Sequence, residues 1–313
     1  MKPRPFRFGL EVGGASSRQE WIEKACKAED LGYSTILLED HLHCALAPLA
    51  AMTAAADATT TLRIGSYVLG NDFRHPVVLA KEAATIDVLS NGRLELGLGT
   101  GYLKFDYEQS GIPLQPPGTR VDRYEEAIQV IKGFFSGEAF SLDGRHYQVR
   151  ELKGIPSPVQ KPHPPLMIGG GSKRMLGIAA READIVSLNI RTTPDGWFDF
   201  ASITAEATAQ KVTWVRQAAG VRFDDIELNL IILVVAVTTD RRQVAENILR
   251  EWQIPEEVLS VEQVLESPNF LIGSVDQIVD DLQMRRVKFG ISYYSVWEPM
   301  EPFAPVIARL SGT

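Results

Sequence analysis

Four side chains that can exchange protons lie close together in residues 37–43, LLEDHLH, directly after a short apolar run. A histidine has a reference pKa of about 6.5, so His41 is suited to giving or taking a proton near neutral pH. Asp40 precedes it and is placed to orient its ring. The structural alternative is that Glu39 or Asp40 caps a helix and that His43 is a solvated loop residue. The cluster therefore predicts proton transfer by His41, whereas the structural role fits His43 better.

Two glycine-rich segments are candidates for contacting a phosphate group. Residues 96–101, LGLGTG, lack the last glycine of a G-x-G-x-x-G dinucleotide fingerprint in register. Residues 168–172, IGGGS, end a predicted strand and run into a helical pattern with Lys173 and Arg174. Amides at a helix N-terminus attract phosphate, and glycines let it approach the backbone. A tight strand-to-helix turn without any ligand explains the same glycines equally well.

A metal centre is a further alternative, because Asp40, His41, His43 and His75 offer the imidazole and carboxylate ligands that suit zinc. These residues follow few strands, and the other positions at strand ends are glycines and hydroxyls, so we predict no metal site. The sequence also has no G-x-S-x-G nucleophile elbow, and neither of its two cysteines has an obvious base as a sequence neighbour. Hydrolysis is therefore not the favoured chemistry.

Charge and composition limit the partners. The chain has 313 residues and a formal charge of -8 at pH 7, so nucleic acid and anionic membrane surfaces are poor partners and a small molecule is expected. Its longest notable apolar run, from Ile231 to Val237, is too short to cross a bilayer and is expected to be one buried strand. Few cysteines and an N-terminus without a secretion signal predict a cytoplasmic protein.

The elements that must position these residues alternate between apolar runs and helical patterns, which is typical of βα units with a mainly parallel sheet. About eight such units predict an α/β fold of the (β/α)8 TIM barrel type, as a single domain over residues 1–313. In such a barrel the active site lies at the carboxyl ends of the strands, where His41 is placed. The predicted strands are Phe6–Val12, Thr35–Leu38, Leu62–Leu69, Leu94–Leu98, Leu166–Ile168, Asp184–Leu188, Leu228–Val237 and Ile291–Val296.

Helix signals appear between these strands. Pro76 suits a first helical position, Asp122 and Glu125 form a possible capping pair, and Ser274 with Gln277 repeats that arrangement before a stop at Gly290. Three segments are longer than a barrel connection requires, and we expect them at the C-terminal rim as insertion segments. They are residues 101–121, 190–225 and 251–272. The proline-rich residues 155–165 are expected to form an extended arm.

Several motifs, in this order and spacing, resemble those of the bacterial luciferase-like monooxygenase superfamily. They are residues 29–33 (EDLGY), 39–41 (EDH), 62–66 (LRIGS), 74–76 (RHP), 87–101 (DVLSNGRLELGLGTG) and 165–170 (PLMIGG). Within that superfamily the chain resembles the coenzyme F420-dependent oxidoreductases. The resemblance covers nearly the whole chain, and it implies a luciferase-like barrel with an isoalloxazine-type ring over the strand ends.

The resemblance also implies which residues hold the cofactor. A non-prolyl cis peptide at Tyr67-Val68 supports the ring from behind, and His41 corresponds to an acid/base histidine that lies against it. The cofactor tail is implied to lie between two further groups of residues. These are Gly99, Thr100 and Gly101, and then Gly169, Gly170, Gly171 and Ser172 at the phosphate, with Leu188 and Asn189 completing the set.

One departure from the resemblance concerns the substrate. Related sugar-phosphate dehydrogenases carry a glutamate directly after the Gly-Thr-Gly motif, where this chain has Tyr102. A phenol has a reference pKa of about 10 and is a poor general base at neutral pH. Oxidation of a sugar phosphate is therefore not expected, and Tyr102 or Glu11 is assigned the role of orienting another small substrate.

The leading hypothesis is an F420-dependent oxidoreductase in which a hydride passes between the deazaflavin and a small organic substrate while His41 handles the proton. The second keeps the fold but uses FMN, reduced by a partner reductase, for monooxygenation. The third is a non-catalytic flavin-binding protein, and the fourth is the metal hydrolase described above. A homodimer is expected from the resemblance alone.

Overall fold

The computed structural model describes residues 4–193 and 197–313. Its strands are β1 Arg7–Val12, β2 Thr35–Leu38, β3 Arg63–Ser66, β4 Leu69–Gly70, β5 Leu94–Gly99, β6 Phe140–Asp143, β7 Gln148–Leu152, β8 Leu166–Gly170, β9 Ile185–Leu188, β10 Arg191–Thr192, β11 Phe198–Asp199, β12 Glu227–Ile232, β13 Val234–Val237, β14 Phe270–Gly273 and β15 Ile291–Trp297. Its helices are α1 Arg18–Asp30, α2 Pro48–Ala58, α3 Pro76–Leu89, α4 Lys104–Ser110, α5 Pro117–Phe135, α6 Lys173–Glu182, α7 Ala205–Ala219, α8 Arg241–Glu251, α9 Val261–Glu266, α10 Val275–Phe289 and α11 Ala304–Leu310. None of the helices in these described ranges combines the length and apolar character needed to cross a membrane.

The main sheet is the closed parallel barrel of an α/β TIM barrel, which confirms the predicted fold class. The described residues group into two compact units. The first unit consists of residues 4–11, 30–34, 169–193 and 197–313, and the second unit consists of residues 12–29 and 35–168.

In the second unit, β2 pairs in parallel with β3, and β5 pairs in parallel with β3, β4 and β8. Every residue of β2 and of β5 is buried, as expected for parallel strands covered on both faces. The predicted strand Leu62–Leu69 is interrupted at Tyr67 and Val68, so that β3 and β4 are separate pieces. This interruption lies at the cis peptide that the resemblance implied.

In the first unit, β15 pairs in parallel with β1 and β12, and β12 pairs in parallel with β9. The predicted long strand Leu228–Val237 is wrong, because the chain divides it into β12 and β13. The backbone N–H of Leu233, between them, donates to the carbonyl of Asn269 (2.8 Å). β13 then pairs with β14 in a separate two-stranded sheet, so the long segment 251–272 contains its own strand and the helix α9.

Helix ends follow the predicted signals in two cases and depart from them in a third. Pro76 is the first residue of α3, and α10 has a capping box between Ser274 and Gln277 and ends at a left-handed Gly290. The predicted capping pair of Asp122 and Glu125 is wrong, since α5 already begins at Pro117 and both residues lie inside it. Proline at the start of α5 needs no backbone donor there.

Candidate active site

His41 lies just beyond β2 and contacts a carboxylate that is remote in sequence. Its Nδ1 is 2.6 Å from Oδ2 of Asp106, and the other oxygen of Asp106 accepts from the backbone N–H of Leu42 at 3.1 Å. Asp106 is buried, with 1% of its surface exposed. Because a carboxylate accepts hydrogen bonds and does not donate them, this contact places the proton of the neutral ring on Nδ1 and leaves Nε2 able to accept one.

Asp40 does not take the orienting role predicted for it. Its carboxylate is bonded to the Arg74 guanidinium through two contacts (2.5 and 2.8 Å) and also accepts from the backbone N–H of Gly70 (2.9 Å). This bidentate pair ties the end of β2 to the segment after β4. Asp106 therefore occupies the position against His41 that the sequence order had assigned to Asp40. His75, as expected, steadies α3, where its ring accepts from the N–H of Val77.

The Tyr67-Val68 peptide is cis, as the resemblance implied. β5 passes close to this peptide, and two of its glycines are required there because a side chain would clash. A Cβ built on Gly97 would lie 1.9 Å from the carbonyl oxygen of Ser66, and one built on Gly99 would lie 2.6 Å from Val68 Cγ2. The hydroxyl of Ser66 donates to Gly97 O (2.9 Å) and accepts from Gly97 N (3.0 Å). Packing of β5 against the strand interruption thus accounts for both glycines.

The turn after β5 is fixed by a buried polar network. Gly101 is in the left-handed region (φ 72°), and a Cβ built on it would lie 2.1 Å from the Tyr107 hydroxyl. That hydroxyl donates to Asp72 (2.9 Å), which also pairs with Arg123. Arg120 donates to the Gly101 carbonyl. The network holds α4, and α4 in turn carries Asp106 to His41.

Tyr102 borders the histidine, as its ring lies edge-on to the His41 ring with centroids 5.6 Å apart. Desolvation, with the negative charges of Glu39 and Asp106, raises the pKa of Tyr102 to about 12. Tyr102 therefore keeps its proton at neutral pH and acts as a hydrogen-bond donor. The raised pKa of Tyr102 excludes a role as a general base at neutral pH, and its substrate-orienting role stays a prediction.

Glu39 lies in the same cluster. Burial raises the pKa of its carboxyl, and the charge of Asp106 adds to that increase. The thiol of Cys44 is 3.8 Å from the Glu39 carboxylate, and burial together with that carboxylate raises the pKa of Cys44. A thiol with a raised pKa is a weak nucleophile, so Cys44 is not an activated cysteine.

The predicted phosphate-contacting residues, Gly169 to Ser172, belong to the first unit. Residues 166–168, the first three of β8, belong to the second unit. Gly169 and Gly170 end β8, and Ser172 caps α6 by accepting from the N–H of Met175. The glycines have close neighbours. A Cβ on Gly169 would lie 2.6 Å from the Asn189 side chain, and one on Gly171 would lie 2.6 Å from the Arg191 backbone. Close packing explains these two glycines, while the exposed N-terminus of α6 retains the positive end of a helix dipole.

Asn189 is positioned by side chains inside the first unit. Ser187 lies 3.0 Å from Asn189 Oδ1 and 2.7 Å from Asn229 Oδ1, and Asn229 donates to the Ser295 hydroxyl (2.9 Å). The backbone carbonyl of Asn189 accepts from the buried ammonium of Lys211 (2.7 Å). Desolvation lowers the pKa of Lys211 to about 8. The other two predicted residues of this unit, Leu188 and Glu11, are fully buried.

The family model of the luciferase-like monooxygenases matches residues 4–260. This chain belongs to that family. Luciferase-like proteins are oxidoreductases and monooxygenases, in agreement with the superfamily that the motifs indicated.

Two relatives of this luciferase-like chain span different lengths. An uncharacterized protein of Mycobacterium tuberculosis is 36% identical over 131 residues, which cover 42% of this chain and 44% of that protein. The oxygenase component of a flavin-dependent trigonelline monooxygenase from Acinetobacter baylyi is 26% identical over 270 residues, covering 77% of this chain and 71% of that protein. The matched region thus spans less than half of the mycobacterial relative.

A solved structure with the same luciferase-like fold is the coenzyme F420-dependent tetrahydromethanopterin reductase from Methanopyrus kandleri. It has a TM-score of 0.75 and 19% identity, with 97% of each chain covered. At this identity the likeness concerns the fold. The Acinetobacter baylyi monooxygenase component is flavin-dependent, whereas the Methanopyrus kandleri reductase depends on coenzyme F420.

The residue that sequence reasoning missed in this luciferase-like site is Asp106. It lies in the segment 101–121, where no long periodic pattern marks a helix. A weaker signal was present, because Lys104 and Glu108 have the i, i+4 spacing of a helical ion pair (3.2 Å) and Gly111 ends the helix in the left-handed conformation. Recognising α4 would have placed Asp106 on a short helix beside the strand ends.

Proposed function

We propose that this protein is an F420-dependent oxidoreductase in which His41 transfers the proton that accompanies hydride transfer. The contact between His41 Nδ1 and Asp106 carries the proposal. It fixes one tautomer of a ring at the carboxyl end of a strand, which is where TIM-barrel enzymes perform chemistry. A non-catalytic protein has no need for this tautomer.

The protein's own groups divide the remaining work. The Leu42 N–H and the His41 ring hold both oxygens of Asp106, so the carboxylate cannot rotate away. The aspartate also stabilises the imidazolium that forms when Nε2 accepts a proton from an alcohol-like substrate. In the opposite direction the same nitrogen returns the proton. Tyr102 keeps its proton and donates a hydrogen bond that orients the substrate.

Two features support a ring cofactor with an anionic tail. In the second unit, Gly97 and Gly99 allow the backbone of β5 to pack closely against Val68. The resemblance assigns support of the cofactor ring to the Tyr67-Val68 peptide. In the first unit, the exposed Ser172, Lys173 and Arg174 begin α6, and a helix N-terminus with basic side chains suits a phosphate. A bound deazaflavin would supply the two-electron hydride chemistry.

The deciding experiment is a fluorescence titration of the apo protein with F420 and with FMN. We expect F420 to bind at least about tenfold more tightly, which corresponds to about 1.4 kcal/mol. Tighter binding of FMN would defeat the F420 assignment. The His41→Ala variant should bind the cofactor like wild type but turn over slowly, whereas unchanged turnover would remove His41 from the mechanism.

The second candidate is an FMN-dependent monooxygenase. It is favoured by the similarity to the Acinetobacter baylyi oxygenase component, which covers 77% of this chain. This alternative requires a reductase partner and dioxygen. Oxygen consumption that depends on reduced FMN and on His41 would support it. A single domain over residues 1–313 stays a prediction from the alternation of strands and helices. A homodimer stays a prediction from the resemblance, and light scattering of the purified protein tests it.

A further inference from the structure

His41, His43 and Asp106 form a compact set of metal-type donor groups. One ligand atom from each lies within 4.8 Å of the other two. The two histidine rings stack with centroids 5.3 Å apart and planes inclined by 15°. Asp106 is buried, His41 is half-buried and His43 is exposed. The set therefore combines a buried carboxylate with one histidine, His43, that is exposed to solvent.

The buried carboxylate of this cluster has no cationic side chain as a partner. Asp106 lies 2.6 Å from His41 Nδ1, and within residues 4–193 and 197–313 no lysine or arginine forms an ion pair with it. Neighbouring aspartates of the same unit differ, since Asp40 pairs with Arg74 and Asp72 pairs with Arg123. A cation at the histidines would meet a carboxylate that no fixed positive side chain neutralises.

We propose that His41, His43 and Asp106 bind a divalent cation of the zinc type. Two imidazoles and one carboxylate are the ligand set of catalytic zinc sites, which leave a further position open. Zinc ligands lie about 2.0–2.2 Å from the metal, which places two tetrahedral ligand atoms about 3.3–3.6 Å apart. His41 Nδ1 and Asp106 Oδ2, now 2.6 Å apart, must therefore separate slightly, and His43 must move toward them. His43 can supply that movement, because it is exposed in a segment without helix or strand between Glu39 and Ala47.

The metal would compete with the proton on His41. Zinc takes neutral imidazole, so a cation bound between His41 and Asp106 displaces the proton that these groups share. This site is therefore inhibitory: an occupied cluster cannot transfer a proton. The inhibitory consequence rests on the proposed function, whereas metal binding does not.

Binding is tested by calorimetric titration of the chelator-treated apo protein with ZnCl2. We expect one Zn2+ per chain for wild type. His43→Ala should weaken binding by at least about tenfold, the size that even an outer-shell partner can cost. Cys44→Ser is the matched control, because Cys44 is a potential zinc ligand in the same segment but lies outside the set, and it should bind like wild type.

Two outcomes of this titration overturn the site. One is the lack of stoichiometric binding by wild type, and the other is a His43→Ala variant that binds as tightly as wild type. The site is also overturned if Cys44→Ser loses zinc binding while His43→Ala keeps it, because the metal would then be bound by the Cys44 thiolate instead of the proposed ligands.

Turnover is measured separately. His43→Ala should keep the basal rate of wild type and require at least about tenfold more Zn2+ for half inhibition. If zinc inhibits both proteins equally, the inhibitory role is wrong. If the protein proves inactive with F420, the proposed function fails, but the calorimetric result still decides the metal site.

Discussion

Replacing Asp106 by asparagine tests the central contact of the site. The Leu42 N–H requires an oxygen acceptor, which fixes the asparagine oxygen on that side. The asparagine NH2 group then faces His41 Nδ1 and donates to it. Nδ1 must become an acceptor, so the neutral ring carries its proton on Nε2, the wrong tautomer for accepting one from the substrate. No buried hydrogen-bonding group is left unpaired by this exchange.

The magnitude follows from the bond that changes. A hydrogen bond to a charged group contributes about 1.5–3 kcal/mol, and each 1.36 kcal/mol is a factor of about ten in rate. We therefore expect Asp106→Asn to lower kcat by about 10- to 150-fold, with little change in KM or in the free energy of unfolding. Steady-state kinetics and urea denaturation measure these quantities.

A matched control is Asp87→Asn, because Asp87 is equally buried in the same unit and accepts two bonds from Gln160. Gln160 also donates to the carbonyl of Leu94 at the start of β5, whereas Asp106 follows the end of that strand. Asp87→Asn should lose stability and keep kcat. The tautomer reasoning is refuted if Asp106→Asn retains kcat within about twofold of wild type, or if the two variants lose activity only in proportion to stability.

Two further predictions concern stability. Gly97→Ala places a Cβ against the Ser66 carbonyl and should cost about 3 kcal/mol in urea denaturation, whereas Gly118→Ala, where the added group meets nothing within 4 Å, should be neutral or stabilising. Equal effects would contradict the packing explanation. Glu29 is partly buried, which opposes ionisation, but bonds from Thr61, Leu62 and Thr60 outweigh this and lower its pKa to about 2 from 4.5. A lowered pKa in the folded state stabilises at neutral pH and loses that effect as the pH falls from about 4.5 to 2. Glu29→Gln should thus cost on the order of 1–2 kcal/mol at pH 7 after solvent screening, and the difference from wild type should shrink below about pH 4; a difference independent of pH would exclude this role.

The barrel itself was predictable because local signals and burial agree. Thr35–Leu38 is a strand with the predicted bounds, since a short apolar run buried on both faces ends at the polar Glu39. The capping box at Ser274 and the stop at Gly290 are likewise local, each involving residues within one turn.

The features that the sequence did not predict depend on contacts between residues that are distant in the chain. The partner of His41 is 65 positions away, and sequence adjacency favoured Asp40 because nothing local reveals that Arg74 neutralises it. The break in Leu228–Val237 depends on Asn269, whose backbone carbonyl accepts from the Leu233 N–H and whose side chain donates to the Ile231 carbonyl. An apolar run carries no information about which distant strand completes its hydrogen bonds.

Asp106 and Tyr107 are adjacent on α4 but have separate partners, His41 for one and Asp72 for the other. Each residue added to a helix turns the following side chains by about 100°. A single-residue insertion or deletion between Lys104 and Asp106, inside α4, would therefore break both contacts at once. The length of the first turn of α4 is consequently as constrained as its chemistry, and loop grafting among related barrels should transfer residues 101–107 as one block.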